Sequence, residues 1–393
     1  MKKDKEKILP SLNIGDLQVY PPFIQGGMGV RVSRAGLASA VANEGCVGVI
    51  ASVGLGRFED ASHKEYADIN EKALRQEIQK ARKLSDGIIG VNLMMVLTDF
   101  ESLVKASVDE GVDLIIAGAG IPKDLPKYLG GKNIKLVPIV SSARAFKLIC
   151  NVWGKRYNKT PDAVIVEGPM AGGHLGFSHE DLVNGKTPKL AQIVAEVLDV
   201  ANSFSSPIPV IAAGGIFDGK DIVEYLKMGV SGVQMATRFI CTDECDVHES
   251  FKRACIDAGV DDLAIIKSPV GLPGRVIRNA FVDRILAGDT IPFECPYLCL
   301  KGCNPATVPF CIAKALTNAS DGNFDEGFVF VGKNVHRLKE IVSVKELINT
   351  LVEETLDCLS RGVDGADISK KSAGVGTAHH SGVQINGDDL PAP

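Results

Sequence analysis

The stretch Val164-Ile-Val-Glu-Gly-Pro-Met-Ala-Gly-Gly-His-Leu-Gly176 carries the clearest indication of the fold. Its apolar, β-branched start predicts a buried strand that ends at Glu167, and a glycine-rich turn and His174 follow. Two later segments, 209–215 and 232–238, repeat this strand-plus-glycine pattern. Because α/β barrels build their active sites from the loops after the strands, the pattern places His174 where such enzymes carry out their chemistry.

Short apolar runs alternate with longer amphipathic stretches on both sides of this segment. Eight such alternations predict a (β/α)8 TIM barrel, whose parallel strands read as near-continuous apolar runs. The predicted strands are 23–25, 47–51, 88–93, 113–117, 135–140, 163–167, 209–213 and 232–236. A doubly wound sheet is the alternative, but no Gly-x-Gly-x-x-Gly follows the first strand. Ser33 and Asp218 are the predicted N-caps of two of the intervening helices.

The pattern divides the chain into three parts. Residues 15–260 form the predicted barrel, and 261–360 form an appended, mainly helical segment that carries a cysteine cluster. Residues 361–393 are rich in Gly, Ser, Ala and Asp with few large apolar side chains, which predicts a disordered tail. Within the appended segment, the turn 268–275 is interpreted either as a lid edge over the ligand or as a domain junction.

Composition excludes several classes of function. The chain has 393 residues, a net charge of -5 and no basic block, so we expect no nucleic-acid partner. No apolar run approaches the roughly 20 residues that span a bilayer, and the N-terminus lacks the pattern of a signal peptide. We therefore expect a cytoplasmic enzyme acting on a small molecule. A homodimer is the expected assembly, since two-fold symmetry is the commonest among soluble oligomers.

Four closely spaced cysteines form a second specific pattern, at Cys295, Cys299, Cys303 and Cys311. Four thiolates suit either zinc or an iron–sulfur cluster. The first three are separated by three residues, whereas zinc sites more often have two, and the intervals match no ferredoxin pattern either. We favour an iron–sulfur cluster, with zinc and unligated or redox-active cysteines as the alternatives. The remaining cysteines lie in apolar or helical contexts, which predicts inert packing.

Taken in order, five motifs resemble the nitronate monooxygenase (2-nitropropane dioxygenase-like) family. That family shares its fold with the flavin-dependent enoyl-acyl-carrier-protein reductases. The motifs are Pro22-Phe-Ile-Gln-Gly-Gly-Met-Gly29, Gly90-Val-Asn92, Ala171-Gly-Gly-His-Leu-Gly176, Ala212-Ala-Gly-Gly-Ile216 and Gln234-Met-Ala-Thr-Arg-Phe239.

The resemblance implies an FMN-binding barrel with His174 as the catalytic residue. The positions that it implies for the flavin ring are Gln25, Gly26, Met28, Asn92, Glu167 and Gly172. Those that it implies for the phosphate turns are Gly214, Gly215, Gln234, Met235, Ala236 and Thr237. Glycine is commoner in the family where this chain has Ala236. A phosphate also needs backbone N–H donors and a helix N-terminus, which Gly214-Gly215 and the helix after Asp218 are expected to supply.

Three functions remain open on this basis. In a nitronate monooxygenase, which oxidises alkyl nitronates with oxygen, His174 would act as a base or orient the nitro group. In an NAD(P)H-dependent reductase of enoyl thioesters, it would donate to the carbonyl or to the nascent enolate. The third is an electron-transfer protein that pairs the flavin with an iron–sulfur cluster. The resemblance favours the first, and the cysteines favour the other two.

Overall fold

The computed structural model of the protein describes residues 9–56, 63–295 and 297–361. A short antiparallel hairpin of β1 (Leu12–Ile14) and β2 (Leu17–Val19) precedes the main sheet. The main sheet has eight strands: β3 (Phe23–Gln25), β4 (Gly48–Ala51), β5 (Ile89–Met94), β6 (Leu114–Gly118), β7 (Lys135–Val140), β8 (Val164–Glu167), β10 (Val210–Ala213) and β11 (Gly232–Met235). These eight match the predicted strands to within two residues at each end.

The eight strands close into a barrel. All registered pairs within the sheet are parallel, in the order β3-β11-β10-β8-β7-β6-β5-β4. Closure between β3 and β4 comes from two backbone hydrogen bonds: Gln25 N–H donates to Val47 O at 3.0 Å, and Val47 N–H donates to Phe23 O at 3.1 Å. The predicted TIM barrel is confirmed, because a doubly wound sheet would leave these two edges apart.

Twelve helices surround or extend the barrel in the described ranges. They are α1 (Ala35–Asn43), α2 (His63–Leu84), α3 (Phe100–Asp109), α4 (Ala143–Tyr157), α5 (His179–Val183), α6 (Leu190–Asn202), α7 (Gly219–Met228), α8 (Thr237–Ile240), α9 (Glu249–Asp257), α10 (Ala280–Leu286), α11 (Ile312–Ser320) and α12 (Val344–Arg361). A 3-10 turn, Leu125–Tyr128, takes the place of a helix between β6 and β7. Across the described ranges, no helix is long and apolar enough to cross a membrane.

The last helix completes the ring around the barrel. Helix α12 packs against α7 and α1, which follow β10 and β3, and so it occupies the place of the helix that follows β11. The segment 263–343 is therefore an insertion within the last βα unit, whereas the sequence pattern predicts a segment appended after a barrel complete near residue 260. This segment also contains two strands, β12 (Leu263–Lys267) and β13 (Pro273–Ile277). The predicted tail begins at residue 361. Arg361 is the last residue of α12, and the rest of the tail, from 362 onward, lies outside the described residues.

Two apolar layers hold the barrel together and leave one end open. Alternate strand residues point inward, among them Ile24, Val49, Ile116, Ile165 and Ile211. The β1–β2 hairpin packs Leu12, Ile14 and Val19 against this interior, and Leu12 contacts the start of β11. The other faces of the strands pack against the helices. Because the hairpin covers the N-terminal end, the C-terminal end is where a ligand can enter.

The two predicted N-caps have different outcomes. Asp218 caps α7 in a reciprocal capping box, in which its Oδ1 accepts from Asp221 N–H at 3.0 Å. The Ser33 prediction is wrong, since its hydroxyl accepts from Met28 N–H at 2.7 Å and so stabilises the preceding loop instead. The first turn of α1, which Ser33 is predicted to cap, is instead bonded by Glu77 of α2: the Ala35 N–H donates to the Glu77 carboxylate at 2.8 Å.

Candidate active site

A cavity of about 220 Å³ lies at the C-terminal ends of the barrel strands. Its floor comes from the ends of β5, β8 and β11 and from the loop after β3. Its opposite wall comes from the insertion. A smaller cavity of about 60 Å³ adjoins it at the ends of β10 and β11. Both are lined by Glu167, Gly172, Gln234, Ala236 and Thr237. A single elongated ligand can therefore occupy both cavities.

His174 lies in the large cavity on a short strand, β9 (Gly173–His174), that leaves the barrel after β8. This strand pairs antiparallel with β13, so the insertion fixes its backbone. Its Nε2 is 2.8 Å from Ser268 Oγ, and its ring contacts the Phe330 ring edge-on at 4.9 Å between centroids. Burial lowers the pKa of His174 to about 4, so the imidazole is neutral at physiological pH.

Ser268 engages one nitrogen of the imidazole. The Ser268 hydroxyl accepts from Val270 N–H at 3.2 Å and keeps its own proton to donate. Because a hydroxyl oxygen has two lone pairs, it can also accept from Nε2–H, so the 2.8 Å contact fits either tautomer of neutral His174. A ring with one nitrogen engaged by the protein holds a fixed orientation, as a proton-transfer group requires.

Glu167 is the second titratable group of the site. It ends β8 and lines both cavities. Burial raises the pKa of Glu167 to about 8, so its carboxyl group is protonated near neutral pH and offers an O–H donor. A neutral carboxyl group beside the small cavity adds no negative charge to repel a bound anion.

The small cavity has the features of a phosphate site. Gly214 and Gly215 have φ angles of +93° and +94°, a conformation that strongly favours glycine. Thr237 Oγ1 accepts from Gly332 N–H at 2.9 Å, which leaves the Thr237 hydroxyl proton to donate. Asn334 Nδ2 donates to Gly215 O at 2.6 Å and holds the turn in place. The turn predicted to bind phosphate is therefore shaped jointly by the barrel and the insertion.

The helix N-terminus predicted to face the phosphate is already engaged. The Gly219 N–H in the first turn of α7 donates to Glu354 Oε2 at 2.9 Å, and Asp218 caps the same turn. Glu354 belongs to α12, the helix that closes the ring. The residues of this region that line the small cavity are instead those of the turn itself, 214–217.

Most of the residues predicted to bind the cofactor line one or both cavities, but Gln25 does not. Gly26, Met28 and Asn92 line the large cavity. Gly214, Gly215 and Met235 line the small one. The Gln25 side chain is fully buried in the barrel: it donates to Ser33 Oγ at 3.1 Å and accepts from Val49 N–H at 2.9 Å. It therefore holds the loop after β3 against β4.

The sequence pattern does not predict the residues that the insertion brings to the site, and four of these come from one short segment. Phe330 and Val331 line the large cavity, and Gly332 and Asn334 line the small one. A signal was present, because Gly327-Phe-Val-Phe-Val-Gly-Lys-Asn334 repeats the apolar run and glycine turn of the barrel units. Because this segment follows the predicted end of the barrel at residue 260, the sequence pattern does not assign it to the active site.

The turn 268–275 joins the insertion to the barrel and borders the large cavity. Strands β12 and β13 form a hairpin that pairs with β9, which joins the insertion to the barrel. Val270, in the turn of that hairpin, lines the large cavity. Arg275 donates to Pro169 O at 2.8 Å and to Ala171 O at 2.5 Å, which fixes the loop that leads to His174.

Two of the four predicted metal-ligating cysteines lie at the edge of this site. Cys299 lines the large cavity, and Cys311 is the N-cap residue of α11, whose first residues also line it. Every cysteine is a free thiol in the described ranges. No group of three or more His, Cys, Asp or Glu side chains within those ranges could hold a metal ion. Among the described residues, the structure therefore supports neither the predicted iron–sulfur cluster nor the zinc alternative.

Comparison with known proteins places the chain in a family. It matches the nitronate monooxygenase family over residues 11–107 and 94–354. The chain belongs to this family. A "probable nitronate monooxygenase" of Staphylococcus saprophyticus is 26% identical over 391 residues, covering 88% of this chain and 98% of the relative. The recognition made from the five motifs is thus confirmed.

Other relatives have different names. A (3aS,4S,5R,7aS)-5-hydroxy-7a-methyl-1-oxo-octahydro-1H-indene-4-carboxyl-CoA dehydrogenase of Mycobacterium tuberculosis is 30% identical over 267 residues, covering 68% of this chain and 66% of the relative. This chain thus matches about two thirds of that enzyme's length. FabK from Thermotoga maritima has a TM-score of 0.69 at 28% identity, covering 87% of this chain and 95% of that one. Nitroalkane oxidase from Streptomyces ansochromogenes shares the fold, with a TM-score of 0.68 at 22% identity over 88% and 98% of the two chains.

Family membership establishes the general chemistry. Enzymes of the nitronate monooxygenase family are oxidoreductases that depend on a flavin. The barrel and the predicted flavin dependence are therefore confirmed. The substrate, the form of the flavin and the role of each residue are matters for the proposal that follows.

Proposed function

We propose that this protein is an FMN-dependent nitronate monooxygenase that oxidises alkyl nitronates with oxygen. The observation that carries the proposal is the neutral imidazole of His174, which lies over a cavity of about 220 Å³ that continues into a second cavity shaped for a phosphate. A flavin with a single phosphate has the matching elongated shape. A dinucleotide would require a second phosphate and nucleoside site beyond the turn at Gly214 and Gly215.

The residues of the two cavities fit this cofactor. Gln234 Oε1 is buried and has no hydrogen-bond partner in the described part of the chain, although it lies where both cavities meet. Such an atom costs free energy unless a bound group donates to it, and a flavin carries a ring N–H and ribityl hydroxyls. Thr237 and the glycine turn would hold the phosphate, and Asn92 and Gly26 would border the ring. Glu167, protonated, would donate to a cofactor oxygen.

The residues around His174 would prepare the substrate. When bound, the flavin supplies the electron-accepting and oxygen-activating chemistry. With its proton on Nε2 and donated to Ser268, neutral His174 can remove the α-proton of a nitroalkane through Nδ1. In the other tautomer, Nδ1–H can donate to an oxygen of the nitro group. Phe330 packs edge-on against the imidazole, and its burial limits access of water, which strengthens its hydrogen bonds.

Anaerobic flavin reduction tests the proposal directly. The purified holoenzyme is mixed without oxygen with an alkyl nitronate, and absorbance near the flavin maximum is recorded. Prompt bleaching by nitronate alone, with colour restored by oxygen, is the expected result. A flavin that stays oxidised in excess nitronate would refute the proposal, whatever its response to reduced nicotinamides.

A second function has its own support, namely an NAD(P)H-dependent reductase of enoyl thioesters. The Mycobacterium tuberculosis relative is named as a carboxyl-CoA dehydrogenase, and Rhodococcus jostii has a relative of the same name at 28% identity. The insertion also gives the large cavity a mainly apolar wall that would suit an acyl chain. In the same anaerobic experiment, this second function predicts that NADH or NADPH bleaches the flavin absorbance and that addition of an enoyl-CoA restores it.

A further inference from the structure

The imidazole of His174 projects from one face of the small sheet that joins the insertion to the barrel. His174 on β9 lies directly opposite Gly274 on β13. Phe330 lies opposite Val276, which is two residues further along β13. Residues opposite each other in an antiparallel pair, and residues two apart on one strand, share a face of the sheet. The side chains of His174 and Phe330 therefore project from the same face, with Gly274 beside both.

The Phe330 ring lies in the space that a side chain at position 274 would occupy. A Cβ on Gly274 would lie 2.7 Å from Phe330 Cε1 and 3.3 Å from Phe330 Cζ. From that place the ring meets the imidazole edge-on, with 4.9 Å between the two centroids and 62° between the two planes. Phe330 lines the large cavity, whereas Gly274 lines neither cavity. The missing side chain of Gly274 thus allows an aromatic contact inside the cavity from outside it.

The Phe330 ring is itself held in place by the insertion. The strand-like segment that carries it is bonded to β13, where Ile277 N–H donates to Val329 O at 2.9 Å. Phe328, which is fully buried, packs edge-on against the Phe330 ring with 5.3 Å between centroids. A ring fixed by its backbone and by a buried neighbour can restrict the movement of a side chain that it contacts.

The imidazole needs such a second contact to keep one orientation. The hydrogen bond between Nε2 and Ser268 Oγ, at 2.8 Å, holds one end of the ring, but the ring can still pivot about that end. The edge of Phe330 limits this pivot, so the other ring nitrogen, Nδ1, keeps its direction. Proton transfer requires a heavy-atom separation of about 2.6–3.2 Å, and the direction of Nδ1 therefore affects the rate of the reaction.

We propose that Phe330 is a positioning residue for His174, and that position 274 is a glycine so that the Phe330 ring can reach the imidazole. The inference rests on the proposed function in one respect, namely that His174 is the proton-transfer group. Phe330 would act through His174 by fixing its orientation and by covering it from water.

The titration of His174 reports on this cover. Burial lowers the pKa of His174 to about 4. The other titratable side chains that line the large cavity are Glu167, Tyr66 and Cys299. Burial raises the pKa of each of these three, so all of them stay neutral below pH 7 and add no charge to the titration of the imidazole.

Nuclear magnetic resonance of the histidine-labelled holoenzyme tests the proposal without any substrate. His174→Ala identifies the His174 signal among those of the seven histidines. We expect the pKa of His174 to be about 4 in the wild type. In Phe330→Leu it should rise to between about 5 and the value of about 6.5 for an imidazole in water. Phe204→Leu, just after α6 and away from both cavities, is the matched control and should leave the titration unchanged.

Gly274→Ala tests the same contact with the Phe330 ring still present. The added methyl group should displace the ring, raise the pKa of His174 and lower kcat by roughly ten- to a hundredfold, since a misplacement of about 1 Å can have that effect. Flavin content should not change. Gly302→Ala, also in the insertion, is the control, because a Cβ on Gly302 meets no described atom within 4 Å.

A double variant shows whether Gly274 acts through the ring. In the Phe330→Leu protein the ring that Gly274→Ala displaces is gone, so the second substitution should lower kcat little further. Losses of kcat that multiply in the double variant would show that the two residues act separately, and would overturn the inference.

An unchanged pKa of His174 in the folded Phe330→Leu and Gly274→Ala variants would also overturn it. Circular dichroism and flavin content report whether each variant folds. If Phe330→Leu does not fold, the comparison of Gly274→Ala with Gly302→Ala decides the question. Failure of nitronate to bleach the flavin would refute the proposed function, whereas the titration of His174 needs no substrate. The two proposals can therefore fail separately.

Discussion

The two walls of the active-site cavity differ in composition and in origin. The barrel wall consists of glycine turns and strand-end polar groups, such as Gly26, Asn92 and Gln234. The wall from the insertion is mainly apolar and includes Leu300, Leu316 and, beside His174, Phe330. Backbone turns and polar groups suit a phosphorylated flat ring, whereas apolar side chains select a substrate by size. The comparison shows cofactor binding and substrate selection assigned to different parts of one chain.

His174 lies where the two walls meet. It follows a barrel strand in sequence, but its strand pairs with β13 of the insertion and its Nε2 contacts Ser268. If the two walls have separate tasks, changes on the barrel side should affect flavin binding. Changes on the insertion side should affect substrate, and changes at His174 should affect turnover alone.

Replacement of the shared histidine should have the largest effect. His174→Ala is expected to lower kcat by about 10²–10⁴-fold, the usual contribution of a general acid or base. Flavin content should stay at the wild-type level, because the imidazole bonds to Ser268 in the insertion and not to the phosphate turn. The measurements are oxygen consumption with nitronate and nitroalkane, and flavin absorbance per chain. His179→Ala, at the start of α5, is the control and should retain activity. Wild-type turnover in His174→Ala would remove this residue from the mechanism.

The contact between the two walls at Gly172 should give the next largest effect. A Cβ on Gly172 would lie 2.5 Å from Val331 C and 2.6 Å from Gly332 N, both backbone atoms of the insertion. Gly172→Ala should therefore separate the walls and weaken FMN binding by at least about tenfold, or roughly 1.4 kcal/mol. The dissociation constant is measured by flavin fluorescence titration of the apoprotein.

Gly154→Ala is the matched control for that substitution. Gly154 lies in α4, and a methyl group added there would meet no other described part of the chain within 4 Å. The change should leave FMN affinity unchanged and stabilise the helix by about 0.5–1 kcal/mol. Equal FMN affinity in both variants would show that the walls are not joined at Gly172.

The barrel wall could be predicted from the sequence, and most of the other wall could not. Parallel strands and their glycine turns are local patterns, so the positions of Glu167, Gly214 and Thr237 follow from short stretches of sequence. Phe330 and Ser268 reach His174 through antiparallel pairing across about 100–150 residues, which no local pattern specifies. The resemblance implies Gln25 beside the ring, and the structure shows its amide bonded inside the barrel to Ser33 and Val49.

Ser268 should have an intermediate effect, through the orientation of the imidazole. Ser268→Ala removes the hydroxyl 2.8 Å from Nε2 and is expected to lower kcat by about tenfold, a loss typical of one hydrogen bond of roughly 1.4 kcal/mol. KM and flavin content should change little. Ser268→Thr keeps the hydroxyl and should restore most of the activity. A purely structural role for Ser268 would instead lower flavin content and kcat together.

The pH profile tests the burial that the two walls impose on His174. An imidazole in water protonates near pH 6.5, but burial lowers the pKa of His174 to about 4. Since the neutral form is the active base, kcat/KM on a neutral nitroalkane should be nearly constant from pH 7 to about 5 and should fall as the pH approaches 4. An acid limb near 6.5 would mean that the walls leave the imidazole open to water.

The smallest effect should come from the apolar wall alone. Leu316 lies on α11 and lines the large cavity away from the small one. Leu316→Ala should raise KM for longer alkyl nitronates by a few-fold, because each lost methylene contact costs about 1 kcal/mol, and should leave kcat unchanged. KM for nitroethane nitronate should not change, since so short a chain does not reach α11. Leu286→Ala is the control, with Leu286 48% exposed on α10. An equal rise in KM for short and long substrates would show that the insertion wall does not discriminate between alkyl nitronates by chain length.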